Sequence, residues 1–270
     1  MIELTESYVI SNLDEINWSE ESPARTASMN LINENMDKID WDLLSNRQKL
    51  PESFIRLYFD KVNWVYISGC QKLSEDFIAE FEDKLDWSKI SAYQELSEDF
   101  IRTYQDKIDW KKISASQTMP ESFIREFDKK VDWKSISTYQ NLSEDFIRAY
   151  KDFVDWDHIS MNQQLSENFI REFSDKVNWE IICGYQKLSE AFIIEFSDKI
   201  DWSVIPYKYQ LTEETIEKFQ DKLDWSYISM YQKLSENFIR KYQYKVDWSK
   251  ISKYQTLSDS FKEEFKDKLL

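Results

Sequence analysis

Tryptophan recurs every 23 residues along this 270-residue chain, without one insertion or deletion to break the period. The series begins at Trp18, ends at Trp248 and uses all 11 tryptophans of the sequence. A fixed period of roughly 20 to 50 residues is typical of repeat arrays, in which each unit buries its apolar face only against its neighbours. The spacing therefore restricts the fold to a stack of equivalent units.

Each repeat contains two helix starts. With tryptophan as position 1, the repeat reads W-S-x-I-S-x-Y-Q-K-L-S-E-D-F-I-R-E-F-x-D-K-V-D. Position 11 is Ser, Thr or Pro and position 23 is Asp or Asn, and these residue types are favoured where helices begin. The pattern predicts a Ser-led helix after position 11 and a Trp-led helix after position 23. The Ser-led helix is expected to be the longer one, which would place the Trp-led helices on the inner side of a curved stack.

Neither helix is long enough to be stable alone, because isolated helices below about 12 to 15 residues are marginal in water. Apolar side chains at positions 1, 4, 14, 15, 18 and 22 give each repeat one face to bury. We therefore expect an all-α fold, an α-solenoid of eleven to twelve two-helix repeats that forms one domain over residues 1–270. Residues 1–17 would be a half repeat, 18–247 ten full repeats and 248–270 a capping repeat, with tryptophan in the core between units.

Several polar positions are constant and have structural interpretations. Gln fills position 8 in nine of eleven repeats, and its amide can donate and accept hydrogen bonds at once. A structural ladder of glutamines is the favoured interpretation and a ligand site is the alternative. Glu at position 12 and Arg at position 16 lie one helical turn apart, which predicts surface ion pairs.

The sequence offers little material for catalysis. His158 is the only histidine, and the two cysteines, Cys70 and Cys183, have no histidine in their own repeats. We therefore expect no His–His or Cys–His metal cluster and no Ser-His-Asp triad. His158 with Asp157 and Asn162 is the one candidate for an active site. We expect no enzymatic activity, no metal and no cofactor.

Charge separates the two helix types. Positions 1 to 9 of the repeats carry thirteen Lys or Arg and six Asp or Glu, a net charge of +7, whereas the rest of the chain has a net charge of −23. The acidic layer is represented by Glu98, Glu121 and Glu144, and it would suit a basic or DNA-binding partner. A DNA mimic remains an alternative, although the layer has only about a third of the charge density of duplex DNA. The total charge of −16 argues against nucleic acid or a membrane surface as the partner.

Binding residues are expected where the repeats differ, because constant positions serve the architecture. Positions 3, 6 and 7 vary most, and they are rich in Tyr and Met, which suit an interface. The candidate partner-binding residues are Tyr66, Lys89, Tyr93, Lys112, Tyr139, His158, Met161, Tyr185, Tyr207, Tyr227, Met230, Tyr231 and Tyr254. The alternative for the position 7 tyrosines is that they pack between repeats.

The segments "LSEDFIRTYQDKIDW" (96–110) and "LSENFIREFSDKVNWEII" (165–182) resemble tandem 23-residue repeat proteins of large DNA viruses and bacteriophages. The resemblance implies no particular activity, but it favours a factor that acts on a host protein. We expect a monomeric, protein-binding repeat scaffold that captures or inhibits such a protein. A DNA-mimic inhibitor and a passive structural rod are the alternatives. The acidic N-terminus and the small number of cysteines suggest a cytoplasmic protein.

Overall fold

The computed structural model describes residue 36 and residues 39–269. The predicted half repeat at 1–17 and the repeat that starts at Trp18 lie outside these residues, apart from the end of that repeat. The helices form two units, Met1–Gln140 and Asn141–Leu270. Across the described ranges every regular element is a helix, and there is no strand. The all-α fold class is confirmed: each unit is an α-solenoid of two-helix repeats.

Trp-led and Ser-led helices alternate along the chain. The first unit contains α1 (Trp41–Arg47), α2 (Glu52–Leu57), α3 (Trp64–Cys70), α4 (Glu75–Glu80), α5 (Trp87–Tyr93), α6 (Glu98–Thr103), α7 (Trp110–Ser116), α8 (Glu121–Glu126) and α9 (Trp133–Tyr139). The second unit contains α10 (Glu144–Ala149), α11 (Trp156–Asn162), α12 (Glu167–Glu172), α13 (Trp179–Tyr185), α14 (Glu190–Glu195), α15 (Ile205–Lys208), α16 (Glu213–Lys218), α17 (Trp225–Tyr231), α18 (Glu236–Lys241), α19 (Trp248–Tyr254) and α20 (Asp259–Glu264). Odd-numbered helices are the Trp-led ones, and successive Trp-led helices pack against each other, as α3 does on α5 and α17 on α19.

Both predicted helix starts are confirmed by their caps. The Asp86 carboxylate accepts hydrogen bonds from the backbone N–H groups of Ser88 and Lys89 at the start of α5. The Ser74 hydroxyl accepts from the N–H of Phe77 at the start of α4. Where position 11 is proline, as at Pro120, no side-chain cap forms and the ring begins the helix instead.

The predicted difference in helix length is wrong. The Ser-led helices have six residues and the Trp-led helices, apart from α15, have seven. Each Ser-led helix ends near position 17, and a turn carries the chain through positions 18 to 22 to the next cap. The apolar stripe at positions 14, 15, 18 and 22 is therefore shared between a short helix and a turn. Because the Trp-led helices are not the shorter ones, helix length gives no reason to place them on the inner side of a curve.

The deepest core is made of phenylalanine and isoleucine. Phe77 and Ile78 of α4 and Ile90 of α5 are completely buried, and burial of side chains of this size stabilises the fold by about 1.5–3 kcal/mol each. The same positions are buried in the other repeats described, for example Phe146 and Ile147 of α10, except that position 15 of the last repeat is the exposed Lys262. Positions 4, 14 and 15 thus supply the continuous core of each unit.

Tryptophan lies at the edge of this core, which corrects the prediction of a tryptophan core. Of the tryptophans that the structure describes, Trp202 is buried and the other nine are partly exposed. The ring of Trp87 stacks on Phe100, with centroids 6.3 Å apart, and lies 5.0 Å from the ring of Tyr104. Its indole N–H donates to the carbonyl of Glu82, 2.9 Å away in the preceding turn. Each tryptophan therefore connects the end of one Ser-led helix with the face of the next.

The glutamine ladder is confirmed, and it joins adjacent repeats. The Nε2 of Gln94 donates to the carbonyls of Ser68 (3.0 Å) and Gln71 (2.7 Å), and its Oε1 accepts from the N–H of Leu73 (3.0 Å). One side chain thus satisfies three buried backbone groups of the preceding repeat. Gln71, Gln140, Gln186 and Gln255 make bonds of the same kind.

Among the repeats that the structure describes, one departs from the ladder. In the repeat of Trp202, position 5 is Pro206 and position 8 is Tyr209, and the helix α15 shrinks to four residues. The Tyr209 hydroxyl lies 3.0 Å from the Cys183 carbonyl and 2.7 Å from the Gln186 carbonyl. A phenol has a single proton, so it cannot donate to both at once as a glutamine amide does. This joint is less well bonded than its neighbours.

We expect Gln94→Ala to lower the free energy of unfolding by about 2–4 kcal/mol, because it leaves buried backbone donors and acceptors without partners. Gln164 is an exposed glutamine on a loop in the other unit, and Gln164→Ala is the matched control with a change of a few tenths of a kcal/mol. Urea denaturation followed by circular dichroism measures both. Equal midpoints for the two variants would contradict a ladder that holds the repeats together.

Candidate binding surface

The acidic residues at the start of the Ser-led helices are used to join repeats. The carboxylate of Glu144 accepts a hydrogen bond from the backbone N–H of Ser166, 2.6 Å away in the next repeat, and Glu52 does the same for Ser74 at 2.6 Å. Equivalent bonds link later repeats, as from the Ser258 N–H to Glu236. The sequence predicts that the position 12 glutamate pairs with arginine in its own helix, and the structure adds a contact to the next repeat.

Arginine at position 16 also spans two repeats. Arg102 pairs with Glu98 one turn earlier at 2.9 Å, which confirms the predicted surface pair, and with Glu126 of the next repeat at 2.9 Å. Its guanidinium lies 5.1 Å from the centroid of the Phe123 ring. Arg148 and Arg171 repeat this arrangement in the second unit. The pairs are partly exposed, so solvent and salt screen them and each stabilises the fold only weakly.

The predicted acidic-face residues therefore belong to this packing. Glu98 bonds Arg102, and Glu144 bonds Ser166 and lies 3.7 Å from Arg148. Glu121 is the first residue of α8 and is half-buried. A charge reversal at these glutamates would disturb the stack as well as the surface charge, so it would not isolate a binding role.

Positions 3, 6 and 7 meet across several joints between repeats. Position 6 of one repeat lies near position 3 or 7 of the next, and we name this group of three positions a joint triad. At Gly69 a Cβ would lie 3.2 Å from the Lys89 Cδ and 3.5 Å from the Tyr93 ring. In the preceding joint the Cys70 Sγ lies 3.4 Å from the Asn46 Oδ1. Residues that the sequence marked as variable thus form small clusters at these joints.

The position 7 tyrosines are exposed. Tyr93, Tyr139 and Tyr185 keep 68, 65 and 61% of their surface accessible. Burial between repeats, the alternative interpretation, therefore does not describe these side chains. The other candidate residues with largely exposed side chains are Lys112, Met161, Tyr207, Tyr227, Tyr231 and Tyr254, and those with half-buried ones are Tyr66, Lys89, His158 and Met230.

Three of the tyrosines form a cluster in the second unit. Tyr207 belongs to α15, and Tyr227 and Tyr231 lie one turn apart on α17. Their ring centroids are 5.8 Å (207–227), 6.3 Å (207–231) and 6.1 Å (227–231) apart. Each ring is 41–50% exposed, so the cluster is an aromatic patch on the surface.

Shallow grooves open beside the loops that follow the Trp-led helices. One groove of about 290 Å³ is lined by Met161 and Tyr185 of a joint triad, together with Leu165 and Lys187. In the first unit a groove of about 310 Å³ is lined by Gly69 and Tyr93, also of one triad. The joint triads and these loops together make the candidate binding surface.

Two residues of the candidate active site, His158 and Asp157, contact different neighbours. The Nδ1 of His158 lies 2.8 Å from the Oδ1 of Asp155, which caps α11, and no hydrogen bond of acceptable geometry satisfies that nitrogen. Asp157 instead accepts a hydrogen bond from the Asn178 side chain at 2.8 Å. The expected absence of enzymatic activity stays a prediction.

The two cysteines are free. Cys183 takes the place of the position 5 serine and is completely buried, with its Sγ 3.4 Å from the Asp201 N–H. Burial raises the pKa of its thiol, which disfavours the reactive thiolate. Cys183 is therefore a structural substitute for serine.

Sequence reasoning missed several members of the joint triads, including Gly184, Lys208 and Lys250. Lys208 bonds the carbonyl of Gly184 across a joint, and desolvation lowers the pKa of its amino group. The register that brings position 6 against positions 3 and 7 of the next repeat follows from stacking, so the spacing within one repeat did not reveal it.

Comparison with known proteins found no matching family model, no matching curated protein and no matching solved structure. Among the residues described, no group of His, Cys, Asp and Glu side chains could hold a metal ion. In the same residues no helix has the length and apolar character needed to cross a membrane.

The inter-repeat carboxylates predict loss of stability in acid. The hydrogen bond from the Ser258 N–H lowers the pKa of Glu236 below its ordinary value of 4.5. A lowered pKa in the folded state contributes stability above the unfolded pKa, and that stability is lost as pH falls through the folded pKa. We expect the urea midpoint of the wild type to fall below about pH 4.5, and to fall less in Glu236→Gln. Glu263→Gln, which removes a surface charge but no bond between repeats, controls for the change in net charge, and an identical acid profile for all three proteins would contradict this role.

Proposed function

We propose that this chain is a non-enzymatic repeat scaffold that binds a protein through the joint triads. The observation that carries the proposal is the exposure of large tyrosine side chains at position 7, such as Tyr93, Tyr139 and Tyr185. Tyrosine is enriched at the energetic centres of protein interfaces, where it buries a large area at a small entropy cost. The constant residues hold the repeats together, which leaves the variable triads available for recognition.

The partner in this proposal is a host protein, captured or inhibited by a viral or phage factor acting inside the host cell. This part rests on the resemblance of the repeats and on the free cysteines, which suit a reducing compartment. We further propose that the chain acts as a monomer, because a repetitive surface offers one partner many contacts without any need for a second copy.

The DNA-mimic alternative has less support. Many of the acidic side chains pair with Arg or Lys of a neighbouring repeat, as Asp106 does with Lys130 at 3.0 Å and Glu195 with Arg171 at 2.9 Å. Duplex DNA presents phosphates without interleaved cations fixed in place, so such a surface imitates it poorly.

Affinity capture from a host-cell lysate, quantified by mass spectrometry, tests the proposal with matched tyrosine variants. We expect the full chain to capture a stoichiometric partner, and the quadruple change Tyr93→Ala, Tyr139→Ala, Tyr185→Ala and Tyr231→Ala to reduce the yield at least about tenfold. Tyr244→Ala is the control, because Tyr244 is 90% exposed but lies in the turn after a Ser-led helix, away from the triads. The melting temperature of each variant should stay close to that of the wild type.

Two outcomes would replace the proposal. Equal capture by the quadruple variant and the wild type, with duplex DNA displacing the partner, would favour the DNA mimic. Self-association with no stoichiometric partner would favour the passive rod.

A further inference from the structure

The joint triads of the second unit follow one another in a definite chemical order. By the register described above, the successive triads are Met161/Ile181/Tyr185, Gly184/Val204/Lys208, Tyr207/Tyr227/Tyr231 and Met230/Lys250/Tyr254. None of these side chains is acidic, and the two charged ones are both lysines. The lysines stand in the triads on either side of the tyrosine cluster, so the row reads lysine, aromatic, lysine.

The tyrosine cluster is the strongest feature of the row. Its three rings come from two successive Trp-led helices, with centroids within 6.3 Å of one another. Aromatic rings at this separation contact one another, and their exposed faces and edges can pack against a further ring or apolar group. One large apolar or aromatic side chain can therefore lie on the cluster.

The lysine before the cluster stands beside open space. A Cβ on Gly184 would meet no atom within 4 Å, whereas one on Gly69 would lie 3.2 Å from Lys89. The Nζ of Lys208 donates a hydrogen bond to the carbonyl oxygen of this glycine. A ligand group therefore has room to approach Lys208 next to the tyrosine cluster.

The spacing of the joints fits an extended peptide. Packed helices lie about 8–10 Å apart, and an extended chain advances about 3.3–3.6 Å per residue. Neighbouring joints are thus about three residues of an extended chain apart. A peptide that runs along the stack places every third side chain at a joint triad.

We propose that the second unit binds an extended acidic segment of a partner protein. An aromatic or large apolar side chain of the segment packs on the exposed surface of the Tyr207/Tyr227/Tyr231 cluster. Carboxylates about three residues before and after it pair with Lys208 and Lys250. This inference rests on the proposed function and names the chemistry of the partner.

Local charge favours an acidic segment despite the negative charge of the whole chain. From each tryptophan to position 9, the five repeats that begin at Trp156 carry five lysines and two acidic residues, Asp157 and Glu180. Fields from exposed charges are screened over about 8 Å at physiological ionic strength. A segment lying on the triads therefore encounters these lysines more strongly than the acidic Ser-led layer behind them. Single-stranded nucleic acid is a weaker candidate, since two triad lysines neutralise few phosphates.

Selection of a random twelve-residue peptide library on the immobilised full chain tests the inference. We expect enriched peptides that carry Asp or Glu about three residues before and after a Phe, Trp, Tyr or Leu. The affinity of one enriched peptide, labelled with a fluorophore, is then measured by polarisation. Enrichment of basic peptides, failure to enrich any pattern, or tighter binding of a labelled single-stranded RNA of mixed sequence would overturn the inference.

Charge-reversal variants locate the segment. Lys208→Glu and Lys250→Glu should each weaken the acidic peptide about tenfold or more, and Tyr231→Ala should weaken it similarly. Lys266→Glu changes the net charge equally but lies after a Ser-led helix, so it should leave the affinity within about twofold. Lys208 also contacts Gly184, so Lys208→Glu changes the packing of that joint as well as the charge. The peptide affinity of Lys250→Glu therefore tests the charge without that change in packing. Equal affinities of the Lys250→Glu and Lys266→Glu variants would place the peptide elsewhere.

The outcomes separate this inference from the proposed function. If lysate capture depends on the tyrosines while no acidic peptide binds, the scaffold function stands and the extended-segment inference fails. Analytical ultracentrifugation of the wild type completes the test, because a dimer that Tyr231→Ala dissociates would assign the cluster to a second copy of this chain and overturn the inference.

Discussion

The bond on which the stack depends is the one from the position 8 glutamine to the backbone of the preceding repeat. At the end of each Trp-led helix the chain exposes carbonyls at positions 5 and 8 and an N–H at position 10, and the next repeat covers them. Only a side chain with two donor protons and an acceptor can satisfy all three groups, as Gln94 does for Ser68, Gln71 and Leu73. A buried backbone group without a hydrogen-bond partner lowers the free energy of unfolding by about as much as several surface ion pairs raise it. The glutamine therefore fixes the offset between repeats, and the offset in turn decides which side chains meet across every joint.

The local features of this fold could be predicted from the sequence because local chemistry determines them. A serine at position 11 or an aspartate at position 23 caps a helix through atoms within three residues of itself, and the structure shows those bonds at Ser74 and Asp86. The glutamine ladder could also be predicted, since an amide side chain can donate and accept hydrogen bonds at the same time. The fold class followed from the constant 23-residue period and from helices too short to stand alone.

Features that depend on the offset between repeats could not be predicted. The second partner of Arg102 is Glu126, 24 residues away, and nothing within one repeat indicates it. The partial exposure of Trp87 follows from its position between the Glu82 turn and the Phe100 ring, which only the stacked arrangement defines. The same is true of the joint triads: the sequence marked positions 3, 6 and 7 as variable, but their meeting across a joint required the register.

The repeat that begins at Trp202 departs from the glutamine ladder and also contributes to the exposed aromatic patch. Its proline at position 5 and tyrosine at position 8 shorten α15 and remove the two-proton amide, so the joint to the preceding repeat loses part of its bonding. Burial raises the pKa of the Tyr209 phenol, which keeps its proton available for the one bond that it can donate. The same short helix supplies Tyr207, the side chain that completes the tyrosine cluster with Tyr227 and Tyr231. Departures from a local rule without a compensating gain in packing are expected at functional positions. The most irregular of the described repeats therefore also contributes to the aromatic patch, because α15 has fewer ladder bonds to the preceding repeat and supplies Tyr207 to the cluster with the next one.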